Sequence, residues 1–207
     1  MASLSTEQLE YLLTHLSQQP ERAVAPLGVF PADCLPTKRR IMQNNSDSCF
    51  IVNTDPSGKP GTHWLAFYYD HVARSLEYFD SFGMPSLEPF GDVRRTLAQR
   101  NLTVTRANTL GMLQSPATTA CGYYCILFIY YRVRLGTSAE AVDKLQRISR
   151  FGNYVRDKRV VKATHRLMHK HDCEQLPSIR TYLSQDCRCL GLGEAENVRR
   201  HARRLEV

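Results

Sequence analysis

The run Cys121-Gly122-Tyr123-Tyr124-Cys125-Ile126-Leu127-Phe128-Ile129-Tyr130-Tyr131 follows a loop of small residues and constrains the fold more than any other part of this chain. A segment this apolar, extending to Leu135, predicts a helix over 121–135 that must be buried. Two aromatic-rich runs, 63–69 and 75–80, sit either side of Asp70-His71-Val72-Ala73-Arg74 and predict an antiparallel pair of strands. Cys49–Asn53 and Leu102–Thr105 predict two further strands. At the N-terminus, Ser5-x-x-Gln8 is a capping box, and Leu9, Leu12, Leu13 and Leu16 follow at helical spacing until Gln19-Pro20. A Pro/Ala-rich connection comes next. Helices are also expected over 87–100, after the cap Thr137-x-x-Glu140, and over 154–170 and 175–185. The expected fold is α+β, a central mostly antiparallel sheet with helices packed on it. No repeat or composition break divides residues 1–207, so one domain is expected.

Gln114-x6-Cys121-Gly122 ahead of that helix places a thiol at a helix mouth. Free N–H groups and the positive end of the helix dipole favour a thiolate there. A thiolate nucleophile needs a base. His63 closes the Gly/Pro-rich turn Asp55–Gly61 and opens a strand-like run. An imidazole needs an orienting acid, and Asp80 ends the next strand-like run. Gln114 is neutral, and its amide N–H together with the Cys121 N–H can stabilise an oxyanion without adding charge. The order His63, Asp80, Gln114, Cys121 is a complete set of parts for nucleophilic acyl transfer.

Each part has rivals. Cys125 lies one helical turn beyond Cys121 and reads as packed interior. His15, His71, His165, His169, His171 and His201 lie in the first helix, a turn and the basic region, which are poorer places for a base. Strand alternation turns Glu77 away from Asp80, and Asp70 adjoins the turn containing His71. Trp64, beside His63, is either core or a shield over the Cys–His pair. His165-x3-His169-x-His171-x-Cys173, with Cys187-x-Cys189, offers metal-ligand residue types. Its spacing matches no familiar zinc pattern and Lys170 intrudes, so it reads as a basic helix end and no metal is expected.

Charge is uneven. Residues 1–144 hold 13 Lys+Arg and 13 Asp+Glu, so the net +7 arises wholly from 145–207. Between 147 and 170, Arg147, Arg150, Arg156, Lys158, Arg159, Lys162, Arg166 and Lys170 face a single acid, Asp157. Such density favours a polyanionic partner, with DNA the first candidate, over a merely solvated surface. No window approaches the roughly 18 consecutive apolar residues of a membrane span. Residues 1–20 lack the pattern of a secretory signal. The seven cysteines, odd in number and irregular in spacing, read as reduced thiols of an intracellular protein.

Four stretches, Gly61-Thr62-His63-Trp64-Leu65-Ala66-Phe67, Phe79-Asp80-Ser81-Phe82-Gly83, Gln114-Ser115-Pro116 and Ala120-Cys121-Gly122-Tyr123-Tyr124-Cys125, make the chain resemble the adenovirus protease (adenain) family. That family belongs to the cysteine-protease group that also processes ubiquitin-like proteins. The resemblance implies a papain-like core with the nucleophile at a helix N-terminus and the roles above for His63, Asp80, Gln114 and Cys121. It also implies cleavage of viral precursor polypeptides at Gly-containing sites during virion maturation, in the host nucleus and the virion, with DNA as a stimulating cofactor. The adenovirus enzymes usually carry Glu where this chain has Asp80. Many also have a cysteine about eleven positions before the Gln, which bonds an activating viral peptide. Thr103 stands there here, so a disulfide-linked peptide is not expected. The chemistry itself requires no cofactor, and a monomer is expected. Two other readings use the same residues: an isopeptidase acting on ubiquitin or a ubiquitin-like modifier, and a nucleic-acid-binding accessory protein without catalysis.

Overall fold

The computed structural model describes residues 3–17, 23–107, 111–148 and 152–170. Helix α1, Thr6–Ser17, starts at the capping box: the Ser5 N–H donates to Gln8 Oε1 at 2.8 Å, and the Gln8 N–H donates to Ser5 Oγ at 3.3 Å. Its leucine stripe is buried. The connection after it contains a strand that period-two reading does not find, β1, Val24–Phe30. Pro26 and Gly28 hide it. A proline is tolerated because β1 is an edge strand, and the register shifts between Pro26 and Gly28, where Gly28 adopts φ 116°. A short helix α2, Lys38–Ile41, follows, capped by the Thr37 side chain.

Strands β2 (Asp47–Asn53), β3 (Trp64–Asp70), β4 (Ser75–Phe79) and β5 (Val104–Arg106) complete a five-stranded sheet in the order β1-β2-β3-β4-β5. Its centre, β2-β3-β4, is antiparallel, and the two edge strands pair in parallel. A parallel neighbour needs a crossover. Helix α3, Gly91–Gln99, supplies the one between β4 and β5.

Alternation along the strands sends side chains to two cores. Cys49, Ile51, Ala66, Tyr68 and Phe79 pack against α1, α4 (Cys121–Leu135), α5 (Ser138–Arg147) and α6 (Asn153–Lys170). Phe50, Val52, Leu65, Phe67 and Tyr78 pack with Ile41 and with Val93 and Leu97 of α3. With helices on both faces, β3 is buried along its whole length. The chain is thus α+β with a sheet antiparallel at its centre.

In α4 all residues from Cys121 to Ile129 are buried, and Phe128 stacks on Phe79 with ring centroids 4.6 Å apart. Gly136 ends the helix at φ 87°, the left-handed conformation that favours glycine. Near that end the buried Arg132 donates to Asp70 Oδ2 at 2.7 Å and to Glu77 Oε2 at 3.3 Å, and lies over the Tyr68 ring. One guanidinium therefore binds α4 to both strands of the β3–β4 hairpin. Thr137 caps α5 by accepting the Glu140 N–H. The helix expected over 175–185 lies outside the described residues.

Candidate active site

His63 precedes β3, where its carbonyl accepts the Thr54 N–H at 3.0 Å and continues the β2–β3 ladder. The preceding turn is fastened by Asp55, whose Oδ2 accepts from the Thr62 N–H at 2.8 Å and the Thr62 hydroxyl at 2.6 Å. Asp80 follows β4 and is fully buried. His63 Nε2 donates to Asp80 Oδ1 at 2.7 Å, and the same carboxylate accepts the backbone N–H groups of Phe82 and Met84, each at 2.9 Å. Three donors therefore fix the carboxylate and, through it, the ring. Nδ1, the other ring nitrogen, is buried and has no N or O hydrogen-bond partner among the described residues, with the Cys121 sulfur as its neighbour. Burial alone would depress the imidazole pKa. The Asp80 bond and the neighbouring Cys121 outweigh it and raise His63 to about 9. Phe82 and Phe90 stack on the ring at centroid distances of 4.6 and 5.8 Å.

Cys121 is the first residue of α4, and no side chain caps that helix start. The positive end of the helix dipole lies there, where a developing negative charge is favoured. One turn on, the Cys125 thiol donates to the Trp64 carbonyl at 3.4 Å, which fixes α4 against the strand that begins beside His63. Burial, with Cys121 and Asp80 nearby, pushes the Cys125 thiol well above its ordinary range, as suits a packed, inert group. Trp64 lies in the same core cluster, and the rings stacked on His63 are Phe82 and Phe90 instead. Gly122 allows the N-terminal segment to close over the helix start: a Cβ there would lie 3.3 Å from Leu4 and Leu9 side chains.

Gln114 is fully buried. Its Oε1 accepts the Ser81 hydroxyl at 2.7 Å, and its Nε2 donates to the Thr118 carbonyl at 2.8 Å, which leaves one amide hydrogen for another acceptor. The Ser81 carbonyl accepts the N–H groups of Leu113 and Gln114. The turn that holds Asp80 therefore also holds the loop carrying Gln114. Gly83 makes that contact possible, since at φ 65° its Cβ would stand 2.3 Å from the Gly111 backbone. From the other side α6 grips the loop. Arg156 Nη1 donates to the Leu113 carbonyl at 3.0 Å, and Asp157 accepts the Ser115 N–H and the Thr118 hydroxyl.

The rival acids are otherwise engaged. Glu77 accepts the Ser138 hydroxyl and Arg132, while Asp70 accepts the Ala73 N–H of its turn and Arg132. The basic segment divides. Arg156, grouped with it by charge alone, is buried and bonded to the Leu113 carbonyl and Asn153 Oδ1, so it is unavailable to a phosphate. Arg147 pairs with Asp143 at 2.9 Å. Lys158, Arg159 and Arg166 are exposed and Lys162 is half-exposed. These four positions fall within about 100° of arc on α6. Arg150, the Lys170 side chain and the ligand types at 171, 173, 187 and 189 lie outside the described residues. Thr103 is exposed just before β5.

Sequence reasoning missed Ser81, Phe82, Phe90 and Asp157. For Asp157 a signal existed: it shares a helical face with Val160, Val161 and Thr164, so this acid points inward with the apolar residues rather than outward among the cations.

Residues 27–149, more than half of the chain, match the family model of the adenovirus endoprotease. The chain belongs to that family. Among curated relatives of this adenovirus endoprotease family member, the protease of bovine adenovirus 4 is 29% identical over 139 residues, covering 63% of this chain and 65% of its own length. The protease of avian adenovirus 8 is 32% identical over 112 residues, covering 50% and 53%. The match spans between 44% and 65% of the length of curated relatives in this family. Among solved structures, the ASFV pS273R protease is 16% identical, covers 77% of this chain and 66% of its own, and superposes with a TM-score of 0.51, a likeness of fold. No described helix is long and apolar enough to cross a membrane.

Proposed function

We propose that this chain is a cysteine endopeptidase that cleaves viral precursor polypeptides during virion maturation, with Cys121, His63 and Asp80 as its triad. The observation that carries the reading is the buried His63. One ring nitrogen is bound by Asp80, the other has no N or O partner among the described residues, and Asp80 and the adjacent Cys121 raise the ring's pKa. At neutral pH such an imidazole is protonated and can pair with a Cys121 thiolate. The Cys121 sulfur attacks the scissile carbonyl carbon, and the oxygen that becomes negative is met by the Gln114 amide and the Cys121 N–H. The C–N bond breaks as His63 gives its proton to the leaving amine, which leaves a thioester on Cys121. Water, deprotonated by His63, then adds to the thioester carbonyl, the C–S bond breaks to release the acid, and the Cys121 sulfur and the protonated His63 are paired again. The test is cleavage of a peptide library containing Gly-rich sites, comparing the wild-type chain with Cys121→Ala. Cleavage lost only in the variant supports the reading. Hydrolysis of a diglycine-terminated ubiquitin-like modifier in place of the library would reassign the substrate.

DNA is the proposed polyanionic partner, bound along α6 by Lys158, Arg159, Lys162 and Arg166, whose shared exposed face supports the reading. Such binding is sequence-independent and weakens steeply with salt, because each neutralised phosphate releases counterions. Anisotropy of a labelled duplex over a salt series would show it. Reversal of Lys158, Arg159 and Lys162 to Glu should weaken binding and flatten the slope, and an unchanged slope would refute it.

A further inference from the structure

We propose that Asp157 is a positioning residue that sets the Gln114 amide against the first turn of α4, so that the two oxyanion donors act as one unit. The inference rests on the proteolytic reading above. Asp157 is fully buried although it belongs to the most cationic stretch of the chain. The groups that donate to it belong to the two elements that carry the Gln114 amide and the Cys121 N–H. Oδ2 accepts the Ser115 N–H at 3.0 Å and the Thr118 hydroxyl at 2.6 Å, both in the loop that begins at Gln114. Oδ1 accepts the Tyr124 hydroxyl at 2.8 Å, and Tyr124 lies three residues into α4 from Cys121. The chain of bonds is therefore continuous: Gln114 Nε2 to the Thr118 carbonyl, the Thr118 hydroxyl to Asp157, and Asp157 to Tyr124 on the helix whose first N–H is the second donor. Burial, the strongest influence, leaves the Asp157 carboxyl raised above its ordinary range although the bonds from Thr118, Tyr124 and Ser115 and the adjacent Arg156 pull it down, so its charge is costly unless all three donors are present. A carboxylate can accept from all three at once. An amide in its place would turn an N–H towards at least one of them.

The experiment compares wild type, Asp157→Asn and Thr118→Val in three measurements: steady-state cleavage of a Gly-containing peptide, inhibition by a peptide aldehyde ending in glycinal, and the rate of Cys121 alkylation by iodoacetamide. Aldehyde capture forms an oxyanion and alkylation does not. The expected result for Asp157→Asn is a kcat lowered about tenfold or more at little-changed KM, with aldehyde affinity falling by a similar factor and alkylation unchanged. Thr118→Val, the smaller perturbation, should show the same pattern at lower amplitude, and it decides the matter if the Asp157 variant does not fold. In a Gln114→Ala background the Asp157→Asn substitution should cost far less than it does alone, because both act on one donor. Equal loss of aldehyde binding and alkylation, or full additivity with Gln114→Ala, would overturn the proposal and leave Asp157 as a stabilising contact. A wild-type chain that neither cleaves nor is alkylated at Cys121 would instead refute the proteolytic reading itself.

Discussion

The two halves of the site are held by different means. His63 and Asp80 are attached to neighbouring antiparallel strands, so the sheet ladder sets their separation, and their turns are tied by backbone N–H groups. Gln114 sits in a loop with no ladder; beyond one backbone pair to the Ser81 carbonyl, its position depends on individual side chains, Ser81 from the sheet side and Arg156 and Asp157 from α6. A ladder tolerates side-chain change, because its bonds are made by every residue type but proline. A loop held by side chains does not. The halves meet at Ser81, which follows Asp80 directly and bonds Gln114.

The comparison can be broken first at the reacting groups. Cys121→Ser and His63→Ala should each lower kcat on the order of 10⁴-fold or more in single-turnover cleavage, with the unfolding midpoint of Cys121→Ser near wild type and that of His63→Ala lowered below pH 9. A Cys125→Ser variant that is inactive while Cys121→Ser cleaves would move the nucleophile. Gln114→Ala should cost about 10²-fold in kcat with little change in KM, since the donor is engaged mainly in the transition state. Loss confined to KM would place Gln114 in substrate binding.

Asp80→Asn sharpens the comparison through pH. Asp80 raises His63, so the protonated ring persists to about 9 in the folded chain. Removing the carboxylate charge should lower the alkaline limb of kcat/KM from about 9 towards the ordinary histidine value of about 6.5, with a loss of about tenfold at the optimum. The same linkage bears on stability. A raised histidine stabilises the fold fully below pH 6.5, and that contribution is lost as pH rises through 9, so denaturant midpoints should fall across that window in wild type and less so in Asp80→Asn. An unshifted limb would detach Asp80 from His63. The smallest effect is expected at the joint: Ser81→Ala removes one bond to Gln114 and keeps the backbone pair, for about a fivefold loss in kcat. A loss as large as that of Gln114→Ala would mean that the loop has no second support.

The legible and illegible parts of the sequence follow the same division. Helix α4 begins at Cys121 and ends at Leu135, as its apolar run implies, because burial on every side needs no partner to be recognised. The β3–β4 hairpin is equally plain from alternating aromatics around a polar turn. Strand β1 was hidden, since an edge position tolerates Pro26 and a bulge absorbs Gly28, two residues that local propensity rejects. What Arg156 and Asp157 bond to was illegible for a different reason, although the inward face of Asp157 could be read. Charge counting treats a helix as a surface, whereas these two neighbours turn inward and bond a loop some forty residues earlier in the chain. No local pattern reports a contact of that range.

Helix α4 is pinned at two points along its axis, by the Cys125 thiol on the Trp64 carbonyl and by Arg132 on Asp70 and Glu77. Between the pins, residue identity is open to drift so long as the interior stays filled, but residue count is not. One residue gained or lost between 125 and 132 would rotate one pin about 100° away from its acceptor. Where Arg132 is the pin that is kept, it would swing Cys121 out of line with His63 even if every named side chain were kept. In this stretch the heritable quantity is length, and a sequence comparison that scores only identities would overlook what holds the nucleophile in place.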